Sequence, residues 1–151
     1  MDWNVEFFED ADKKQPARAF LDSLEEAKRA ALIAAIESVL TPLGPDVCNT
    51  EYGKALGKRL YEFRVRHDEQ TIRRKVAGDG GSGGGPKRDD ILLRVFFAAY
   101  GQRIVLLLGG YDKGRDPSTR RQEREIAKAR KALRSFELSE ERRKAGIRRR
   151  G

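Results

Sequence analysis

Residues 91–116 read ILLRVFFAAYGQRIVLLLGGYDKGRD, and this stretch decides the fold. Residues 91–97 alternate, with Leu93, Val95 and Phe97 on one face and Arg94 on the other. Residues 103–109 are apolar enough for a central strand. The short connection through residues 98–102 favours a hairpin. A turn follows that carries Tyr111, Asp112, Lys113 and Arg115. Asn-Gly would be enough to turn a corner; this turn instead presents polar and cationic groups.

The same logic extends in both directions. Residues 60–67 (LYEFRVRH) alternate strictly, with Tyr61, Phe63 and Val65 opposed to Glu62, Arg64 and Arg66. Residues 3–8 set Trp3, Val5 and Phe7 against Asn4, Glu6 and Phe8, a strand suited to a sheet edge. Between these two strands a helical region opens at Pro16, a residue tolerated in a first turn. Phe20, Leu24, Ala27 and Ala31 form one stripe, and Leu32, Ile36, Val39 and Leu40 another. Thr41-Pro42-Leu43-Gly44-Pro45 stops the region. Its length suits two helices with a break near Ser23-Leu24-Glu25. A last helix starts at about Ser118, with Ile126, Ala129, Leu133 and Phe136 as its apolar stripe and Thr119 and Gln122 as a capping box.

The order predicts an α+β fold: a small antiparallel β-sheet with an N-terminal helical pair and a C-terminal helix, the helices packed on one face. One domain covers residues 1–138 and includes a Gly-rich insertion loop at 77–90. A basic tail, 139–151, has too little apolar content to fold alone and reads as mobile.

Charge is unevenly spread. The net charge of +8 resides in residues 113–151, which hold 15 Lys/Arg against 6 Asp/Glu; residues 1–112 hold 17 against 18. Such an excess suits an anionic partner (nucleic acid, an acidic protein or, less well, a membrane surface), and equally a solvated helix with a frayed basic tail. The single cysteine, Cys48, permits no intrachain disulfide and fits a reducing compartment. The acidic N-terminus is unlike a signal peptide, and no apolar run approaches the ~20 residues of a membrane span. These features predict a cytoplasmic protein with no membrane partner.

Several motifs fall away. GDGGSG (78–83) matches G-x-G-x-x-G, yet it lies in a linker between two strands rather than between a strand and a helix. Lys87, just beyond it, is not in a G-K-[ST] context. One histidine and one cysteine without HExxH leave no visible metal site. A lone histidine also rules out two-histidine RNA cleavage within one chain, and no nucleophile elbow is present.

The arginines remain. Alternation puts Arg64, Arg66 and Arg94 on the non-core face of the sheet, where adjacent strands would gather them into one patch. The Tyr111–Arg115 turn would form its rim. Guanidinium groups grip phosphates bidentately and a lysine adds a point charge. Tyr111 and Phe96 offer rings on which bases can stack. His67, whose ordinary pKa is near 6.5, can serve as a general acid or base or be a plain surface residue. The competing reading pairs the arginines with Glu62 and Asp68, or sets them against an acidic protein.

KALGKRLYEFRVRHD followed by ILLRVFFAAYGQRIVLLLGGYDKGRDPSTRRQEREIAKARKAL resembles the RelE/ParE superfamily of bacterial toxins, in particular its phage-derived HigB-like branch. The likeness covers residues 3–136 and rests on the order and spacing of an aromatic-Glu-x-Arg strand, an Arg-Val-x-Phe strand and an Ile-Val-Leu-Leu strand. The resemblance implies the toxin of a type II toxin–antitoxin system, a ribosome-dependent mRNA endonuclease that needs no metal or other cofactor. Its partners would be the ribosome, mRNA and a cognate helix-turn-helix antitoxin. By position it assigns catalysis to Arg64, Arg66, Arg94, Tyr111 and Lys113. RNA binding falls to His67, Phe96, Arg115, Arg120, Arg121 and Arg124. Two departures stand out: Gly114 replaces a second lysine, and Gly109 a histidine. They leave open a ParE-like toxin that binds DNA gyrase without nuclease activity, or an inactive RNA-binding relative.

Overall fold

The computed structural model describes residues 1–78 and 91–150, with side chains as far as Gly146. Among the described residues five strands form one sheet: β1 (Asn4–Phe7), β2 (Gly53–Gly57), β3 (Leu60–Val65), β4 (Leu93–Tyr100) and β5 (Ile104–Asp112). Their order is β1-β5-β4-β3-β2. All pairings are antiparallel except β1 on β5, which is parallel and puts β1 at one edge. The predicted α+β fold, with an N-terminal helical pair and a C-terminal helix, is what the chain adopts.

The helical pair is α1 (Pro16–Ser23) and α2 (Glu26–Ala35), separated by extended backbone at Leu24 and Glu25. A π turn, Ile36–Leu40, a short turn α3 (Thr41–Leu43) and a 3₁₀ stretch, Gly44–Asn49, complete the run. Pro42 has no N–H and would crowd a regular preceding turn, which accounts for the helix changing pitch there. An 18-residue window within Glu26–Asn49 has a mean hydropathy of 1.4, so by length and composition alone this run could cross a bilayer. Ala31, Leu32, Ala34, Ala35, Val39 and Leu40 are nevertheless buried against Phe63, Val65, Val95 and Leu107, so this apolarity serves the core.

Sequence reasoning missed two elements. The hairpin strand β2 has glycine at both ends, and α4 (Glu69–Val76) buries only Ile72. Asp68 caps α4 by accepting a hydrogen bond from the Thr71 N–H at 2.8 Å.

The helices do not share one face. α5 (Thr119–Arg150) covers the side opposite α1 and α2, where Ala129 and Leu133 pack with Phe8, Leu60, Phe96, Ala98, Leu106 and Leu108. The surface read as the non-core face therefore carries a second core. Ser118, rather than Thr119, caps α5, its hydroxyl accepting from the Arg121 N–H. Residues 139–150, read as a tail, continue α5 to Arg150. They are rich in good helix formers and include an Arg143–Glu140 pair at 3.0 Å. Of the insertion loop at 77–90, residues 79–90 lie outside the described residues.

Candidate nucleic-acid site

Strand register creates the site. Arg64 lies opposite Arg94 across β3 and β4, and Arg94 opposite Tyr111 across β4 and β5, so the three form one row across the sheet. Simple alternation would not put Tyr111 on that face. Phe96 opposes Gly109 while Phe97 opposes Leu107, which leaves Leu108 as the extra residue of a β-bulge. The bulge reverses side-chain parity beyond it, turning Tyr111 towards Arg94 and Gly110 towards α1.

Glu62 organises the row. Its carboxylate is fully buried and accepts a hydrogen bond from Arg64 Nε at 2.7 Å. Arg94 Nε lies 3.7 Å from the same oxygen, and Arg94 Nη1 donates to the Leu93 carbonyl. Two guanidiniums thus share one carboxylate, leaving a net positive corner. Part of the competing sequence reading holds, since Glu62 does engage these arginines.

Among the described residues, Glu62 Oε2, Arg94 Nε and Tyr111 OH are buried without a hydrogen-bond partner in the protein. Tyr52 OH, in the core on the other face, is a fourth such group; an unpaired buried polar atom calls for an explanation, a catalytic role among them. Burial holds the Arg94 guanidinium below its ordinary value, an effect Glu62 opposes and Arg64 and Arg66 reinforce. Burial likewise lowers the Lys113 ammonium, and the positive charges of Arg94, Arg64 and Arg66 lower it further while Glu62 acts against them. Tyr111 is pushed up by burial and by the Glu62 charge, so its hydroxyl holds its proton.

Five residues therefore converge: Arg64, Arg66, Arg94, Tyr111 and Lys113. Arg66 is exposed, Arg64 and Lys113 are half-buried, and Arg94 is only 3% exposed. The stacking role expected of Phe96 and Tyr111 is not available, because these side chains are 0% and 1% exposed. Tyr111 stacks on Phe96 at 6.2 Å, and the Arg121 guanidinium covers it at 5.5 Å. The strand continues past Gly109, so the ring sits under α5 rather than in a turn.

The remaining candidates are dispersed. His67 Nε2 sits 3.2 Å from Glu51 Oε1 and 3.1 Å from Lys75 Nζ. Burial raises the Glu51 carboxyl, but the Lys75 hydrogen bond and charge outweigh that and hold it below its usual range. Arg115 reaches Glu25 at the α1–α2 junction at 3.3 Å. Arg121 is held by Glu125 at 3.0 Å, while Arg120 and Arg124 stand exposed on the outer side of α5. Among the described residues, no group of three or more His, Cys, Asp or Glu side chains is placed to hold a metal ion.

The corner can bind an anionic group and stabilise charge developing on it. A lysine with a lowered pKa beside it can also transfer a proton. No family model and no curated protein matches the chain.

Proposed function

We propose that this protein is the toxin of a type II toxin–antitoxin pair, of RelE/ParE type, that cuts mRNA on the ribosome without a metal ion. The observation that carries this reading is the row Arg64–Arg94–Tyr111 with Lys113 beside it. It is a cationic corner held open to anions by one buried carboxylate. In the proposed reaction the ribose 2′-oxygen attacks the adjacent phosphorus and loses its proton to solvent water. The bond to the 5′-oxygen breaks, and that oxygen is protonated. Arg64 and Arg66 bind the non-bridging oxygens as their charge rises, and Lys113 supplies a proton. Arg94, too enclosed to travel, acts as fixed charge. The working compartment is the cytoplasm, and a helix-turn-helix antitoxin covers the basic surface until it is removed.

RNA 5′-end mapping in cells shortly after induction without the antitoxin tests this reading. Arg66→Ala and Lys113→Ala are the controls, since both side chains reach solvent and their loss spares the buried pair. The expected result is new 5′ ends within translated codons, reduced about 10²-fold or more in each variant. Arrested growth with intact mRNA would move the target to a protein such as DNA gyrase. Normal growth with intact mRNA would leave an RNA-binding relative without activity.

A further inference from the structure

β1 accompanies β5 only as far as the Phe7–Leu107 pair, and the Phe8 N–H donates to the Leu107 carbonyl at 2.9 Å just beyond it. From Leu108 onward, among the described residues, the outer edge of β5 has no strand beside it, and α1 packs there instead. A cleft of about 270 Å³ opens between the α1–α2 junction and the end of β5. Phe20, Ser23, Glu25 and Lys28 form one wall, Gly110 and Asp112 the other. Tyr111 and Arg121 line it as well, so the cleft adjoins the cationic corner.

Its electrostatics differ from those of the corner. Lys28 pairs with Asp112 at 2.6 Å, Arg115 with Glu25 at 3.3 Å, and Arg121 with Glu125 at 3.0 Å. Each cation has a carboxylate partner, so the cleft has little to select a phosphate. What it offers is an apolar wall at Phe20, packed onto Gly110, with donors and acceptors around the rim. Its volume is just under the roughly 300–1,000 Å³ typical of drug-sized ligands, which suits one planar ring system.

We propose that this cleft binds a guanine base. The Glu25 carboxylate is 70% exposed, and turning from Arg115 it would accept from the guanine N1–H and amino group, which frees Arg115. Lys28 or Arg115 would donate to O6 and N7. Adenine has no N1–H to offer that carboxylate, and pyrimidines fill less of the space. The idea that the guanine belongs to RNA beside the cut rests on the ribonuclease reading; recognition of guanine itself does not.

The test is NMR on the ¹⁵N-labelled full chain, titrated with guanosine 5′-monophosphate, cytidine 5′-monophosphate and ribose 5-phosphate. The guanine nucleotide should shift the Glu25, Gly110 and Asp112 amides. The cytidine nucleotide should need about tenfold more ligand, and ribose 5-phosphate should leave these amides in place. Ser23→Trp, made at an exposed position at the mouth, should abolish the response in a folded protein, and Glu25→Gln should weaken it. No shift with the guanine nucleotide, or equal shifts with ribose 5-phosphate, would overturn the proposal. Failure of the ribonuclease reading is separate, since it appears as absent cleavage in cells with the guanine response intact. Where cleavage occurs, a guanine preference unchanged in Glu25→Gln would overturn the assignment of the cleft to RNA.

Discussion

Two adjacent glycines on β5 have opposite packing. A methyl group on Gly110 would lie 2.6 Å from the Phe20 ring and 2.8 Å from the Arg94 carbonyl oxygen, and the latter is backbone and cannot yield. A methyl on Gly109 would meet nothing within 4 Å. Gly110→Ala is therefore expected to cost about 1–3 kcal/mol, as overpacking does. Gly109→Ala should stay within about 0.5 kcal/mol of the parent. Urea unfolding curves of both variants check this, and equal stabilities would contradict the packing described. The same two residues mark how far the site was legible in the sequence. Arg64 and Arg94 follow from period-two alternation, which survives into the structure. The burial of Tyr111 does not, because one extra backbone residue at Leu108 reverses the pattern and no side chain there announces a bulge. Glu62 was visible as a pairing partner, but not its complete burial, since that depends on α5 closing the face.

At the scale of elements, the β2–β3 hairpin is the most strained. Its two-residue loop, Lys58-Arg59, has φ of 51° and 69°, both in the left-handed region. Such loops favour Asn-Gly because both central residues need positive φ, and other L-residues pay roughly 1–2 kcal/mol each there. Replacing Lys58 by Asn and Arg59 by Gly together should raise stability by about 1–2 kcal/mol. Chemical denaturation measures this, and an unchanged midpoint would count against the assigned turn. The hairpin is also tied to α5, whose Arg130 donates to the Leu56 carbonyl at 2.8 Å and to the Gly57 carbonyl at 3.3 Å. A Lys-Arg loop and a GKALG strand carry no ordinary hairpin signal, so β2 was illegible; pairing with β3 determines it. The Asp68 cap was readable before α4, but a helix with one buried apolar residue lacks the stripe that would have drawn notice.

Across the whole molecule, the decisive fact is that both faces of the sheet are covered. α5 is fixed at its sheet contacts partly by Tyr100, whose ring lies 4.6 Å from that of Phe136 and whose hydroxyl donates to Glu6 at 2.8 Å. Burial and this hydrogen bond push the Tyr100 pKa up to about 12, from an ordinary 10. A raised pKa means the folded state favours the neutral phenol. The contribution is thus complete below pH 10 and lost as pH climbs through 12. Melting temperature should fall between pH 10 and 12, after a smaller loss that begins above pH 9 from Cys48, whose thiol is also raised by burial. Tyr100→Phe should make that fall shallower, though Tyr52 and Tyr111, also raised by burial, add to it with the same sign. A fall equally steep in Tyr100→Phe would remove Tyr100 from this role. That α5 lies opposite the helical pair was not legible, because its apolar stripe shows that a face is buried but not which side of the sheet receives it.

The parallel pairing of Asn4 with Ile104 also sets a timetable. The first strand has no partner until residues about one hundred positions later have been made, roughly 5–20 s of synthesis at ordinary elongation rates. Arg94, Tyr111 and Lys113 belong to that same late segment. A growing chain that has not reached them has neither a closed sheet nor a cationic corner. The cationic corner therefore arrives abruptly, at one late moment of the chain's own translation, rather than accumulating along the way.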